Sequence, residues 1–230
     1  RGVRIMAYSD IKDPSAHFQT MLWTGNASSN EITFDGNSDL QADWIWHKEP
    51  NDSNGWHQTD TSIGIANYLA SESTAAEYGV GSAYVSAIGS NSITYGSGDS
   101  SFNSNSVAQA TWAWKANGGT TASNTDGTIT TTTQVNSDAG FSIVTWAGGG
   151  TGSLGHGLGE VPDMWIVKNR DYAVSWAVGF SVSGTLGGTS NYLSLNTDGA
   201  TSTYNNIWGS SPVNSSTITM AGDRSVNISG

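Results

Sequence analysis

The sequence contains no cysteine, little positive charge and no long apolar run. The absence of cysteine excludes disulfides and thiolate metal sites. Eight basic residues stand against 19 acidic ones, and the net charge of −11 repels phosphate, so we expect no nucleic-acid partner. No apolar run reaches the length of a membrane span and no signal peptide is visible, so we expect no membrane insertion.

Strong helix formers are also scarce, and other residue types take their place. The chain has 29 glycines, 10 tryptophans and 8 tyrosines. The aromatic residues supply apolar area that a disordered, low-complexity chain lacks. Short runs of Thr, Val, Ile, Trp and Tyr lie between clusters of Gly, Asn, Asp and Ser, which is typical of many short strands. The composition therefore predicts an all-β fold.

One stretch of the sequence occurs twice, at residues 42–48 and 162–168, and each copy is followed by a polar loop and a tryptophan. The matching residues, each pair 120 positions apart, are Asp43 and Asp163, Lys48 and Lys168, and Trp56 and Trp176. Three different residue types at one ungapped offset indicate a duplication, and a repeat has to be found before the fold is predicted.

The duplication extends on both sides of this stretch. Residues 141–148 match residues 18–25 at an offset of 123, and residues 191–193 match residues 67–69 at an offset of 124. Small insertions between the matches are expected, because loops vary over a constant strand framework. We predict that the structural anchors of the repeat are Trp23, Asp43, Trp44, Lys48, Trp146, Asp163, Trp165 and Lys168.

The predicted architecture is two tandem β-sandwich units of the jelly-roll or concanavalin-like type. Residues 1–115 form the first unit, which begins with an entry strand near residues 3–8. Residues 116–140 are rich in Gly and Thr and form a linker or an exposed hairpin around Asp126-Gly127. Residues 141–230 form the second unit.

The second unit is predicted to lack its closing strand. In the first unit the last element is the strand at residues 108–115, and the chain reaches Gly230 before the equivalent strand of the second unit. A missing strand leaves a sheet edge with unpaired N–H and C=O groups. We expect this edge to be covered by a continuation of the natural chain, by a neighbouring subunit or by the N-terminal strand.

A set of longer motifs accompanies the duplication. They are residues 141–146, 156–164, 166–171 and 191–196 with Trp176 in the second copy, and residues 112–119 and 124–129 between the copies. Together they resemble tail-fibre-like and other virion structural proteins of marine tailed bacteriophages, from about His17 to the end. The resemblance implies a structural role on the surface of an extracellular virion, with self-assembly, other virion proteins as partners and host adhesion. It implies no catalytic site, metal or cofactor.

A carbohydrate-binding module for host recognition is the alternative function. Tryptophan faces stack on sugar rings, while nearby Asp and Asn side chains bind hydroxyl groups. We predict such sites at Trp56 and Trp176, which follow polar loops, or at Trp208 in the loop of residues 205–209. The competing explanation is that the tryptophans of the repeat, such as Trp44 and Trp165, only fill cores.

Catalysis and metal binding have little support in the sequence. The four histidines show no metal-ligand spacing, and residues 35–39 are only a fragment of a calcium-binding loop. A polysaccharide depolymerase needs two facing carboxylates. The sequence has enough carboxylates in number, at Glu31, Asp43, Glu160 and Asp163, but none of them forms a pair with a visible role. We therefore predict a protein that is not an enzyme, with the depolymerase as the least favoured alternative.

Overall fold

The computed structural model describes residues 11–81, 84–97, 101–181, 190–203, 207–209, 213–223 and 226–227. Within these ranges the regular structure is strand, apart from one 3-10 turn at Pro14–Ala16. The all-β prediction is confirmed, because short β-branched and aromatic runs separated by turn residues form strands. The predicted entry strand near residues 3–8 lies outside the described ranges.

In the described residues, nine strands make up what we call the first lobe. They are β1 (Phe18–Thr24), β2 (Asn30–Thr33), β3 (Trp44–Lys48), β4 (His57–Asp60), β5 (Asn67–Ala70), β6 (Tyr78–Gly79), β7 (Val85–Ile88), β8 (Ser92–Tyr95) and β9 (Ala108–Trp114). A large sheet has the order β1-β9-β3-β4-β5-β6, and a small sheet has the order β2-β8-β7. The sheets pack around a shared apolar core that includes Ile45, Tyr84, Ile93, Tyr95 and Phe102.

Strand β9 completes the large sheet of the first lobe. It pairs antiparallel with β1 along seven residues and with β3 along five. Thr111 and Ala113 are buried, whereas Trp112 and Trp114 are only partly buried on the opposite face. This alternation has the period of two expected for a strand with one face in the core.

The other nine strands of the described ranges make up the second lobe. They are β10 (Ala122–Asn124), β11 (Thr131–Asn136), β12 (Phe141–Thr145), β13 (Gly152–Gly155), β14 (Met164–Val167), β15 (Ala177–Phe180), β16 (Asn191–Ser194), β17 (Ser202–Thr203) and β18 (Thr217–Met220). They form three sheets, with orders β10-β11-β12, β13-β18 and β14-β15-β16-β17. The core of this lobe includes Leu154, Trp165, Val167, Trp208, Ile218 and Met220.

Residues 116–140 contain a hairpin around Asp126-Gly127, formed by β10 and β11. Strand β11 continues to pair with β12 along five residues, so this segment is part of a sheet of the second lobe. Thr131 and Gln134 of β11 are buried, whereas the side chains of a free linker would be exposed.

The two lobes repeat each other's polar contacts. The Lys48 ammonium donates to the backbone carbonyls of Glu49, Asp52 and Asn54. The Lys168 ammonium donates to the carbonyls of Asn169, Tyr172 and Val174, which lie 120 positions later. Each lysine thus closes the loop after its strand in the same way. Whether the connectivity is of the jelly-roll or concanavalin-like type stays a prediction.

Candidate functional site

A cleft with a volume of about 590 Å³ lies where the second lobe faces the first. Consecutive residues 141–146 of β12 and its end, and 162–168 around β14, line it, and we call it the interlobe cleft. Among the described strands, β12 pairs with β11 alone and β14 pairs with β15 alone. The cleft therefore runs along two strand edges that have no partner in this part of the chain.

The first lobe shows what occupies the corresponding position. By the sequence match, β12 corresponds to β1 and β14 corresponds to β3. In the first lobe, β9 lies between these two strands and pairs with both. The second lobe has no such strand in its described residues, and the interlobe cleft lies in that place.

The walls of the cleft are mainly apolar. The first lobe contributes the tryptophans Trp44, Trp46 and Trp114, and Trp44 stacks on Phe141 of β12 with ring centroids 5.9 Å apart. The core of the second lobe contributes side chains that include Leu154, Ile218 and Met220. An apolar slot with polar groups at a few positions is the usual form of a binding site.

Three buried donor groups in the walls have no hydrogen-bond partner. They are Trp46 Nε1, Gln58 Nε2 and Trp165 Nε1. Gln58 is 4% exposed and Trp165 is 6% exposed, so bulk water does not reach these groups. A buried donor without an acceptor costs about 1–3 kcal/mol. These three N–H groups are therefore unsatisfied within the walls of the cleft.

Charged groups also line the cleft, namely Asp60, Lys168 and Arg170. Burial raises the pKa of Asp60 to about 6, and desolvation lowers the pKa of Lys168 to about 8. Arg170 forms a two-point ion pair with Glu77 of the first lobe, through Nε at 2.5 Å and Nη2 at 2.9 Å. The hydrogen bond to Glu77 raises the pKa of Arg170. This pair ties the lobes together beside the cleft.

The predicted sugar-binding tryptophans do not form one surface. Trp208 is 0% exposed in the core of the second lobe, and Trp176 is 3% exposed, with Nε1 donating to the carbonyls of Ala70 and Ser73. The expectation that these two rings lie in accessible loops is wrong, because the sheets of the second lobe enclose one and the contact between the lobes covers the other. Trp56 is 37% exposed, so sugar stacking there stays a prediction.

The two anchor aspartates differ in environment. Asp43 is 0% exposed and accepts hydrogen bonds from the backbone N–H groups of Ala116, Gly118 and Gly119 and from the Thr61 hydroxyl. Asp163 is exposed and accepts a hydrogen bond from the Ser181 hydroxyl, at the position that corresponds to Thr61. The three backbone donors to Asp43 follow β9, and the described residues of the second lobe contain no counterpart of that strand.

The anchor tryptophans also differ between the lobes. Trp23 Nε1 donates to Thr111 of β9, whereas its counterpart Trp146 donates to Asn227. Trp165 does not match Trp44, because the offset of 120 places it on Ile45. The larger ring of Trp165 fits because Gly179 on the neighbouring strand β15 has no Cβ. A Cβ at that position would lie 2.2 Å from the ring. Sequence reasoning missed this exchange of Ile for Trp opposite a glycine, although the offset could have shown it.

The described part of the chain shows no group of three or more His, Asp or Glu side chains that could hold a metal ion. In the same residues, no helix has the length and apolarity needed to cross a bilayer. Residues 13–230 match the family model of the domain of unknown function DUF7483, and the chain belongs to this family. No curated protein and no solved structure matches the chain.

Proposed function

We propose that this member of the DUF7483 family is a non-catalytic structural module of a bacteriophage virion. It forms part of a tail-fibre-like or other surface appendage, and it assembles with copies of itself and with other virion proteins. The observation that carries the proposal is the interlobe cleft, in which two unpaired strand edges border an apolar slot. Exposed edges are templates for pairing with another chain, so they suit assembly.

The chemistry of the chain supports the same role. The net charge of −11 suits a solvated particle surface, and the sequence motifs resemble those of virion proteins. Asp43, one of the carboxylates considered for catalysis, serves as an acceptor for three backbone N–H groups and one hydroxyl. Its carboxylate is used to hold the loop after β9 in place.

Mass spectrometry of density-purified virions tests this proposal. Peptides of this chain are expected among the structural proteins of the particle, at a stoichiometry of several copies. The lysate of the infected host serves as the control for expression. Presence of the chain in the lysate together with its absence from purified particles would overturn the virion assignment.

Carbohydrate recognition is the second candidate function, and an aromatic strip on the first lobe favours it. Neighbouring ring centroids lie 4.4–5.9 Å apart along the series Phe18, Trp114, Trp44, Trp46, Trp56 and Trp112. Phe18 is 36% exposed and Trp56 is 37% exposed, so both present ring surface to solvent. Trp stacking and nearby polar side chains are what a sugar site requires.

A glycan array with Trp56→Ala tests sugar binding. We expect the substitution to reduce binding to host glycans at least about tenfold if the strip is the site. Tyr78→Ala is the matched control, because Tyr78 is 42% exposed and lies outside the strip. Absence of glycan binding by the unmodified chain would remove this candidate, and a reducing-end assay on host polysaccharide would test the depolymerase in the same way.

A further inference from the structure

We infer that the interlobe cleft accepts one extended polypeptide strand with the residue pattern of β9. The strand pairs antiparallel with β12 on one side and with β14 on the other. This inference deepens the proposed assembly function and rests on it, because it names the partner chemistry of the same site. The first argument is the duplication itself, in which β9 lies between β1 and β3.

The register of the first lobe predicts the register of the incoming strand. Trp114 lies opposite Phe18 of β1 and opposite Trp44 of β3. The equivalents of these two partners in the second lobe are Phe141 and Met164. A strand that follows this register places a partly exposed aromatic residue between them and a small residue on the core side, as Ala113 is in β9.

The second argument comes from backbone groups that an incoming strand would satisfy. Among the described strands, β12 and β14 each pair on one side only, so the outer N–H and C=O groups of both strands have no ladder partner there. An extended strand carries one N–H and one carbonyl at nearly every residue, and these groups alternate between its two edges. A sugar or an apolar molecule would contact the apolar walls, but would leave the backbone edges unpaired.

The third argument is the state of the anchor aspartate. In the first lobe, Asp43 holds the loop after β9 through the backbone N–H groups of Ala116, Gly118 and Gly119. Asp163 is exposed at the corresponding position beside the cleft. We expect its carboxylate to receive the backbone N–H groups that follow the incoming strand. The interlobe cleft and Asp163 together would thus recognise both a strand and the turn that follows it.

Site-specific disulfide trapping tests the inference, because the chain has no cysteine of its own. The protein carries Met164→Cys, at a side chain that is 52% exposed and is therefore tolerant of change. The probe is a synthetic peptide of residues 106–119 with Trp114→Cys, which the predicted register places opposite residue 164. Directly opposed residues in neighbouring strands lie within the Cα distance of a disulfide.

Two control peptides make the test specific. A peptide with Thr111→Cys instead places its thiol about 10 Å further along the strand, so trapping is expected to be at least about tenfold slower. A peptide in which Trp112 and Ala113 are exchanged has the same composition but presents the wrong faces, and we expect its binding to be at least about tenfold weaker. Asp163→Ala is expected to weaken binding of the 106–119 peptide severalfold, whereas Asp138→Ala is not.

Several results would overturn the inference. Equal trapping of all peptides would show an unspecific apolar slot, and no uptake of the peptide would show a cleft that is not a strand acceptor. A dimer of the chain that blocks the peptide would identify a second copy as the occupant. These outcomes are independent of the mass spectrometry of purified virions. If virions contain the chain but the cleft binds no peptide, only this inference is disproved. If the cleft binds the peptide but virions lack the chain, only the viral role is disproved.

Discussion

Asp43 and Asp163 show how one duplicated residue acquires two roles. Both occupy the position before the Trp-rich strand and accept from the hydroxyl of Thr61 or Ser181. Asp43 is also buried under the loop that follows β9, where its charge is balanced by backbone N–H groups. Charge-assisted hydrogen bonds of this kind are about twice as strong as neutral ones, so the buried member of the pair carries stability.

Substitution of the two aspartates is expected to have unequal effects. Asp43→Ala leaves the buried N–H of Ala116 and the partly buried N–H groups of Gly118 and Gly119 without their acceptor. We expect it to lower the free energy of unfolding by about 2–3 kcal/mol. Asp163→Ala is the matched control and is expected to change it by less than about 0.5 kcal/mol, because the side chain is exposed. Urea denaturation followed by tryptophan fluorescence measures both. Equal losses would contradict the assigned roles.

His47 makes stability depend on pH. Its side chain is 0% exposed, and burial lowers its pKa from 6.5 to about 3. Between these values the unfolded chain binds a proton that the folded chain does not, so folding loses stability as the pH falls through this window. One such group contributes about 1.4 kcal/mol per pH unit.

The substitution His47→Gln tests this dependence, because glutamine has no proton to gain in this range. Compared with the unmodified chain, the variant is expected to lose stability less steeply with acid, by about 1 kcal/mol per pH unit between about pH 6 and pH 4. Unfolding in urea at several pH values provides the slopes. Parallel slopes for the two proteins would show that His47 does not stay neutral in the folded state.

At the scale of elements, short strands are held in place by close backbone contacts. The hairpin of β10 and β11 docks on β13, where the Ile129 N–H donates to the Ser153 carbonyl at 3.0 Å. A Cβ at Gly127 would lie 2.2 Å from that carbonyl oxygen. Glycine is therefore required at this turn by the proximity of another backbone, which cannot move as a flexible side chain could.

Gly127→Ala is expected to separate the hairpin from β13 and to cost at least about 2 kcal/mol of stability. Gly199→Ala is the control, because a Cβ there would meet its nearest atom, Thr197 Oγ1, at an ordinary 3.5 Å. We expect the control to change stability by less than about 0.5 kcal/mol. Amide hydrogen exchange of residues 122–136 reports the separation directly, and unchanged protection in Gly127→Ala would contradict the packing.

The whole molecule depends on contacts between the two lobes. Trp176 Nε1 reaches the carbonyls of Ala70 and Ser73, and Gln134 Nε2 reaches the hydroxyls of Thr61 and Ser62 at 2.8 and 2.7 Å. These groups are buried or partly buried, so breaking their hydrogen bonds costs free energy. The lobes are therefore expected to unfold together.

The indole N–H of Trp176 provides a test of this coupling. Trp176→Phe keeps an aromatic ring but removes the donor, and we expect a loss of about 1–2 kcal/mol and a broader unfolding transition. Trp56→Phe, at the equivalent position of the first lobe, is expected to cost less than about 0.5 kcal/mol, because that ring is 37% exposed. A similar loss in both variants would show that the contact between the lobes is unimportant.

Sequence reasoning found the fold class and the repeat but not the site. Alternation and turn residues act locally, so the all-β class and the matching loops of Lys48 and Lys168 could be predicted. The alignment also predicted that the second unit lacks its closing strand, but it did not indicate that the counterpart, β9, lies between β1 and β3. It could not show that the first lobe would cover this gap with Trp44, Trp46 and Trp114.

By itself, then, the sequence determined that short strands form and that one pattern is used twice, because a strand's period and a repeat's offset are written along the chain. Only the tertiary structure decided that Trp176 and Trp208 are enclosed while Trp56 keeps an accessible surface. Identical side chains after similar loops differ in exposure because burial depends on which sheet packs over them. That packing joins residues a hundred or more positions apart, as in the bond from Trp176 to Ala70.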